Sequence, residues 1–196
     1  DVSFNNVTKI GNRCFIADTG ETNITADLSK IVQVGDRSFC GTYEKDIFLH
    51  GRRHNLAQCV SVGSSFNNAV LDDGAVVVLD SLKTAGPSAF YHIGYKDSVF
   101  SIDDARIFDI PNGLPVLESA SGDAFSGPRQ YVKFGDNTTN VVNYPNMISA
   151  QSNALSWDLY SACVKDDGSL GYPATIEVIL DIPNIVSVDC GAFAMS

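Results

Sequence analysis

Short apolar or alternating segments recur along the chain, separated by Gly, Pro, Asn and Asp, and no long amphipathic helical segment interrupts them. Alternation with a period of two and frequent turn residues are typical of an all-β sandwich or barrel. The pattern predicts strands over residues 13–17, 30–34, 57–62, 75–82, 89–94, 105–110, 131–134, 156–164, 175–182 and 185–188.

The clearest local prediction is an antiparallel hairpin near the C-terminus. Leu155, Trp157 and Leu159 share one face of the first strand, and Val178 and Leu180 share one face of the second. The polar stretch KDDGS between the two strands has the composition of a turn. Trp157, the only Trp of the chain, is expected to anchor the core rather than to hold a ligand.

Length and charge limit the function classes. The 196 residues fit one domain of residues 1–196, with no linker or internal repeat that we find in the sequence. The net charge of −10 argues against a dedicated nucleic-acid reader, because phosphate binding needs clustered Lys and Arg. One dense basic cluster, HGRRH, places Arg52 and Arg53 in a predicted surface loop whose charge removal should leave folding intact. The sequence is compatible with two interpretations of this cluster, a solvated loop and a contact with an anion.

The five cysteines leave the redox environment open. Their odd number leaves at least one unpaired in a monomer, and no CxxC spacing suggests zinc or redox chemistry. Small reduced thiols in a cytosolic or virion protein fit this count, and a disulfide-linked secreted domain is the alternative. The chain begins at Asp1, which we interpret as a cleaved product or an excised domain.

The sequence contains no motif that is typical of an enzyme active site. His50 and His54 lack the further ligands of a metal site, and the Asp-rich stretches LDDG and DDG read as hairpin turns rather than calcium loops. Gly-x-Ser-x-Gly and phosphate-binding glycine loops are absent from the sequence. We therefore expect no enzyme activity, no cofactor and no metal site. A sandwich hydrolase or lyase would require a cleft that gathers His with carboxylates.

Four ordered stretches carry a resemblance to a known family. They are DGAVVVLDSLKTAG (73–86), SAFYHIGY (88–95), DDARIFDI (103–110) and SNALSWDLYSACV (152–164), followed by ATIEVILDI. In order and spacing they resemble the small coat protein of comovirus-like and fabavirus-like plant viruses, within the picorna-like capsid group. The resemblance covers roughly residues 73–196, and the glycine-rich loop with a Phe that the family places before its Trp strand is not recognisable.

The resemblance implies an antiparallel eight-stranded jelly-roll β-sandwich released from a polyprotein. The chain would be a structural subunit of a non-enveloped icosahedral capsid, located in the virion and, during assembly, in the host cytoplasm. Its partners would be other coat subunits, including a larger coat protein, and encapsidated positive-sense RNA with few direct contacts; no membrane partner is expected. Arg52 and Arg53 are candidates for RNA or subunit contacts, and Phe66, Phe125 and Tyr144 are candidate exposed interface anchors.

A second function remains open. A secreted or surface-exposed β-sandwich binding domain, such as an adhesin, a lectin-like domain or a viral spike, would also suit a chain whose turns are rich in Asn, Tyr and Gly.

Overall fold

The fold is a parallel β-solenoid, not a jelly roll. The computed structural model describes residues 4–16, 22–41, 47–72, 74–91, 93, 106–110, 113–133, 141–159 and 179–193. The described chain is all-β, as expected, but every strand pairing within it is parallel. The predicted antiparallel eight-stranded sandwich is therefore wrong, since antiparallel pairing is what a jelly roll requires.

One sheet runs the whole length of the solenoid, and we call it the ladder sheet. Each of its seven strands has two residues, and each belongs to one turn of the chain around the solenoid, which we call a coil. In spatial order the strands are β1 (Lys9–Ile10), β4 (Gln33–Val34), β8 (Ser61–Val62), β11 (Thr84–Ala85), β13 (Ser119–Ala120), β16 (Ser149–Ala150) and β19 (Ser187–Val188).

Shorter stacks of strands form the other sides. The second sheet contains β17 (Trp157–Leu159), β14 (Gly127–Lys133), β12 (Arg106–Asp109), β10 (Ala75–Val78) and β7 (Arg53–Asn55). The smaller stacks contain β3 (Thr22–Ile24), β6 (Ile47–Leu49) and β9 (Ala69–Leu71); β2 (Phe15–Ile16) and β5 (Phe39–Cys40); and β15 (Val141–Asn143) and β18 (Ile179–Asp181).

The coils share a repeated sequence pattern, so the prediction of no internal repeat is wrong. Equivalent inward residues Ile10, Val34, Val62, Ala85, Ala120, Ala150 and Val188 are 24, 28, 23, 35, 30 and 38 residues apart. Around each of them apolar residues recur at fixed offsets, as in Leu28, Ile31, Val34 and Phe39 or Leu114, Leu117, Ala120 and Phe125. The repeat is therefore constant around the ladder strand, while the rest of each coil varies in length.

The core follows from this pattern, because each offset builds one column of buried side chains along the solenoid. The most regular column contains Phe15, Phe39, Phe66, Phe90 and Phe125. Their neighbouring ring centroids lie 5.1, 5.2, 5.4 and 4.9 Å apart in stacked pairs. This spacing matches the separation of neighbouring strands, about 4.8 Å, so each coil contributes one ring.

The tight corner before each ring explains several unusual backbone angles. The residue two positions before the ring has positive φ at Arg13, Arg37, Ser88 and Asp123. Asn153 has the same backbone conformation in the coil where Leu155 replaces the aromatic residue. In the third coil the ring of Phe66 comes four positions after Val62 instead of five, and there the positive φ falls at Asn68 instead.

The hairpin prediction is corrected in the same way. β17 (Trp157–Leu159) and β18 (Ile179–Asp181) do form within the two predicted strands, but they do not pair with each other. β17 pairs in parallel with β14, and β18 pairs in parallel with β15. The predicted turn 165–169 lies outside the described residues, as does the side-chain environment of Trp157. Alternation identified strands here but carried no information about their partners.

Two other local predictions also change. The described residues of the predicted strand 89–94 form a turn. The stretch LDDG is not the predicted hairpin turn, because β9 ends at Leu71, β10 begins at Ala75, and these two strands belong to different sheets. Asp73 within it lies outside the described residues.

Candidate functional site

The ladder sheet contains one strand from each of the seven described coils, so its outer face crosses all of them. In each strand of the ladder sheet except β19, where both residues are exposed, the second residue is buried in the core and the first is more exposed. The outward residues are small or uncharged in every coil after the first: Gln33, Ser61, Thr84, Ser119, Ser149 and Ser187. This face therefore presents a row of hydroxyl and amide groups at the repeat of the strands.

A shallow groove of about 310 Å³ lies on this face. It crosses the strands β4, β8, β11 and β13 and includes the turn residues that follow them. Its lining residues are mostly small and uncharged, and they are Asn12, Gln33, Val34, Gly35, Asp36, Ser61, Val62, Gly63, Thr84, Ala85, Gly86, Ser119 and Ser121. Among the described residues, Asp36 is the one charged side chain in this lining.

The polar side chains at one edge of the groove hold the coils in register. Asn12 Oδ1 accepts a hydrogen bond from the Asp36 backbone N–H at 2.9 Å, and Asp36 Oδ1 accepts one from the Ser64 N–H at 3.0 Å. The Ser64 hydroxyl in turn donates to the carbonyl of Pro87 in the next coil. The groove therefore offers hydrogen bonding to a ligand, but its carboxylate already serves the fold.

Residues immediately before the ladder strands form a mixed rim. Val60 and Ile148 are exposed apolar side chains, 36% and 50% accessible. Between them in the stack, Lys83 Nζ lies 2.8 Å from Glu118 Oε1. Both partners of this ion pair are about half exposed, so it contributes at most about 1 kcal/mol to stability. The rim thus combines apolar contacts with a compensated charge pair.

A second polar cluster joins neighbouring coils away from the groove. The ring nitrogens of His50 lie 3.0 Å from Asp72 Oδ1 and 2.7 Å from Asn23 Oδ1. The other carboxylate oxygen of Asp72 accepts the Gly51 N–H at 2.8 Å. That backbone bond, followed by His50, lowers the pKa of Asp72. His50 is thus gathered with one carboxylate, but both serve as ties between coils and neither belongs to the groove lining.

His54 is a buried polar residue in an apolar environment. Its side chain is 6% exposed and borders a small interior void that is otherwise lined by apolar residues, among them Leu56 and Val77. No described residue bonds its Nε2. Burial lowers the pKa of His54, against the opposing attraction of Asp72. The imidazole is therefore neutral inside the solenoid, and its unpaired Nε2 lowers the stability of the folded chain.

His54 should make the protein less stable below about pH 6.5, the ordinary pKa of histidine. Between the lowered folded pKa and that value the unfolded chain binds more protons, so the free energy of unfolding falls as the pH falls. We expect His54→Leu to remove this part of the pH dependence and to leave stability at pH 8 equal or higher. Urea unfolding at pH 8 and pH 5.5 measures both. An equal loss in the wild type and the variant would contradict the prediction.

The predicted contact residues Arg52 and Arg53 are both exposed. Arg52 lies in a bend, and Arg53 begins β7, the edge strand of the second sheet, rather than lying in a loop. Neither lines the groove. Contact of Arg52 and Arg53 with RNA or with a neighbouring subunit stays a prediction.

The aromatic residues proposed as exposed anchors are buried instead. Phe66 and Phe125 are each 2% exposed and belong to the Phe column, and Tyr144 is 1% exposed. Burial raises the pKa of Tyr144 far above its usual value. The anchor prediction is therefore wrong, because these residues occupy the positions at which each coil fills the core.

Four of the cysteines lie in the described part of the chain, and all four are free thiols: Cys14, Cys40, Cys59 and Cys190. Desolvation raises the pKa of the buried Cys59 to about 11, so its thiol is inert. Within the described ranges no group of three or more His, Cys, Asp or Glu is placed to hold a metal ion. Among the same residues no helix is long and apolar enough to cross a membrane.

No protein-family model, curated protein or solved structure matches this chain. The candidate site therefore rests on the residues of the ladder face and their geometry alone.

Proposed function

We propose that this chain is a binding module that recognises an extended polypeptide segment along the ladder face. The observation that carries the proposal is the groove of about 310 Å³, which continues across four neighbouring strands of the ladder sheet. Solenoids use such continuous faces for recognition, because stacking places equivalent side chains side by side at a fixed repeat.

The chemistry of the groove favours a polypeptide. Ser61, Thr84 and Ser119 offer hydroxyls that both donate and accept hydrogen bonds, which suits the alternating N–H and C=O groups of an extended chain. Val60 beside the groove and Ile148 in the coil beyond it are exposed apolar side chains that offer contacts for the side chains of the bound segment. Nucleic acid fits poorly, because the described residues that line the groove include no Lys or Arg and the chain carries a net charge of −10.

The proposal keeps the binding-domain alternative from the sequence but replaces its sandwich fold. The capsid function stays a prediction that no observation tests, and it no longer has the jelly roll on which the resemblance relied. A catalytic role has less support than binding, because the His50–Asp72 pair joins coils and lies apart from the groove.

Selection from a phage-displayed library of unstructured peptides tests the proposal. The decisive variant is Thr84→Arg, which places a long side chain across the middle of the groove from an exposed position. The matched control is Gln58→Arg, which adds the same side chain at an exposed position outside the groove lining. We expect selected peptides to bind Thr84→Arg at least about tenfold more weakly than the wild type, a loss of about 1.4 kcal/mol. Binding to Gln58→Arg should be unchanged.

Two outcomes would overturn this proposal. Failure to enrich any peptide against the wild-type protein would argue against polypeptide recognition. Enriched peptides that bind Thr84→Arg as well as the wild type would place the binding surface elsewhere on the molecule.

A further inference from the structure

Two arginines lie side by side at one end of the groove. Arg13 and Arg37 directly follow Asn12 and Asp36, which line the groove. Both occupy the tight corner two positions before the ring of their coil, with φ of 57° and 54°. The Arg13 backbone N–H donates to the Asp36 carbonyl at 2.8 Å, so Arg13 lies directly beside the peptide group that joins Asp36 to Arg37. We call Arg13 and Arg37 the corner pair.

The guanidinium groups of the corner pair are available to a ligand. Both residues are exposed. Neither guanidinium takes part in an ion pair or a hydrogen bond with any residue that the structure describes. The neighbouring carboxylate of Asp36 accepts the Ser64 N–H instead. Two adjacent cations without a counter-charge repel each other and attract an anion.

The charge at the groove changes from one end to the other. In the coil of β13, at the far end of the groove, Asp123 occupies the same corner with φ of 56°. The row of outward residues changes in the same direction, because Lys9 of the first coil takes the position that Gln33 has in the second and is exposed. The end of the groove beside Asn12 is therefore cationic, although the whole chain has a net charge of −10.

We propose that the corner pair binds a carboxylate of the polypeptide segment that occupies the groove. This inference rests on the proposed function and adds a specificity to it, since the ligand would lie with an acidic group at the end of the groove beside Asn12. A guanidinium group binds a carboxylate through two parallel hydrogen bonds, which makes arginine well suited to this contact. The carboxylate of Asp123 disfavours the opposite orientation, because it would repel an acidic group at the far end.

The length of the groove sets the place of the acidic group in the ligand. Three intervals between neighbouring strands, each about 4.8 Å, give a length of about 14 Å, which an extended chain covers with about four residues. The acidic group should therefore lie at one end of a segment of about five residues. Its other residues would contact the hydroxyl groups of Ser61, Thr84 and Ser119. An Asp or Glu side chain and a C-terminal carboxylate offer the same chemistry.

Peptides selected on the wild-type protein test the ligand side of the proposal. We expect Asp or Glu to be enriched at one end of the selected segments. Replacing this residue with Asn or Gln in synthetic copies should weaken binding at least tenfold. Each copy is made with a free and with an amidated C-terminus. A tenfold loss that follows amidation, and not the side-chain replacement, would assign the bound carboxylate to the C-terminus.

A double variant, Arg13→Asn with Arg37→Asn, tests the protein side. Asn adopts positive φ more readily than Arg, so the two substitutions add no backbone strain. We expect the acidic peptides to bind the double variant at least tenfold more weakly than the wild type, whereas their uncharged copies should bind both proteins equally. Arg52→Asn is the matched control, because Arg52 is exposed and outside the groove lining, and it should leave binding unchanged. Circular dichroism spectra that match the wild type confirm that each variant is folded.

The outcomes separate this proposal from the proposed function. Acidic peptides that bind the double variant as tightly as the wild type would overturn the carboxylate contact. Peptides that lose binding to Thr84→Arg but do not respond to the loss of their carboxylates would also overturn it, and they would leave polypeptide recognition in the groove intact. If no peptide binds the wild-type protein, both proposals are wrong.

Discussion

Replacing Gly35 with Ala should destabilise the protein by about 3 kcal/mol, the upper part of the range for overpacking. A Cβ at Gly35 would lie 2.8 Å from the carbonyl carbon of Gly11 and closer still to Asn12 Oδ1. Backbone atoms cannot move aside as a flexible side chain can, so the first two coils would have to separate. That separation would strain the bond from the Asp36 N–H to Asn12 Oδ1. Urea unfolding monitored by circular dichroism measures the loss.

The matched control lies at the same position one coil earlier. A Cβ at Gly11 would meet only Cys14 Sγ, at 3.8 Å, which is ordinary van der Waals contact. Gly11→Ala should therefore leave stability unchanged or raise it by up to about 1 kcal/mol, because alanine restricts the unfolded chain. Equal stability of the Gly35 and Gly11 variants would contradict the close coil packing described here. Gly35 also lines the groove. A variant in which the first two coils are pushed apart should therefore bind peptides more weakly as well.

The glycine positions show what the sequence alone could support. Gly35, Gly63 and Gly86 each follow a ladder strand directly, and an added Cβ at any of them would meet the previous coil at 3.0 Å or less. In the sequence they appear as ordinary turn glycines, and turn glycines predict loops equally well in sandwiches and solenoids. Their common role, which is to let neighbouring coils approach closely, can be recognised only when the coils are aligned on the ladder strands.

Local alternation predicted several strands correctly and their pairing wrongly. β10 and β12 lie within predicted strands, and so does β17. A period of two reports that a segment has two faces, but it does not identify the segment beside it or its direction. Coil lengths between 23 and 38 residues also hide the repeat from a search at constant period, although the apolar offsets around the ladder strand are almost constant.

The candidate site was harder to foresee than the strands. Ser61, Thr84 and Ser119 are separated in sequence by more than twenty residues, and nothing in their types distinguishes them from other hydroxyl residues. The stacked register makes them neighbours. Conversely, Phe66 and Phe125 were predicted to be interface residues because they lie in predicted loops. Both rings are instead stacked in the Phe column of the core.

Phe66→Ala should cost about 3 to 5 kcal/mol, the usual loss when a buried Phe is truncated in a core. The Phe66 ring is 2% exposed and stacks on both Phe39 and Phe90, at 5.2 and 5.4 Å. For a chain of this size the melting temperature should fall by roughly 6 to 20 °C. Thermal unfolding followed by circular dichroism and calorimetry measures the change.

Two further variants separate the parts of this loss. Phe66→Leu keeps an apolar side chain of the type that Leu155 shows at the same position, so its loss of about 1 to 3 kcal/mol reports the two ring pairs. Phe193→Ala removes a ring that is only partly buried in the last described coil, and it should cost less than half as much as Phe66→Ala. If both alanine variants lost the same stability, the rings would not act as a continuous column. A graded loss, larger for the buried ring inside the stack and smaller for the partly buried ring of the last described coil, is what nearest-neighbour packing of coils requires.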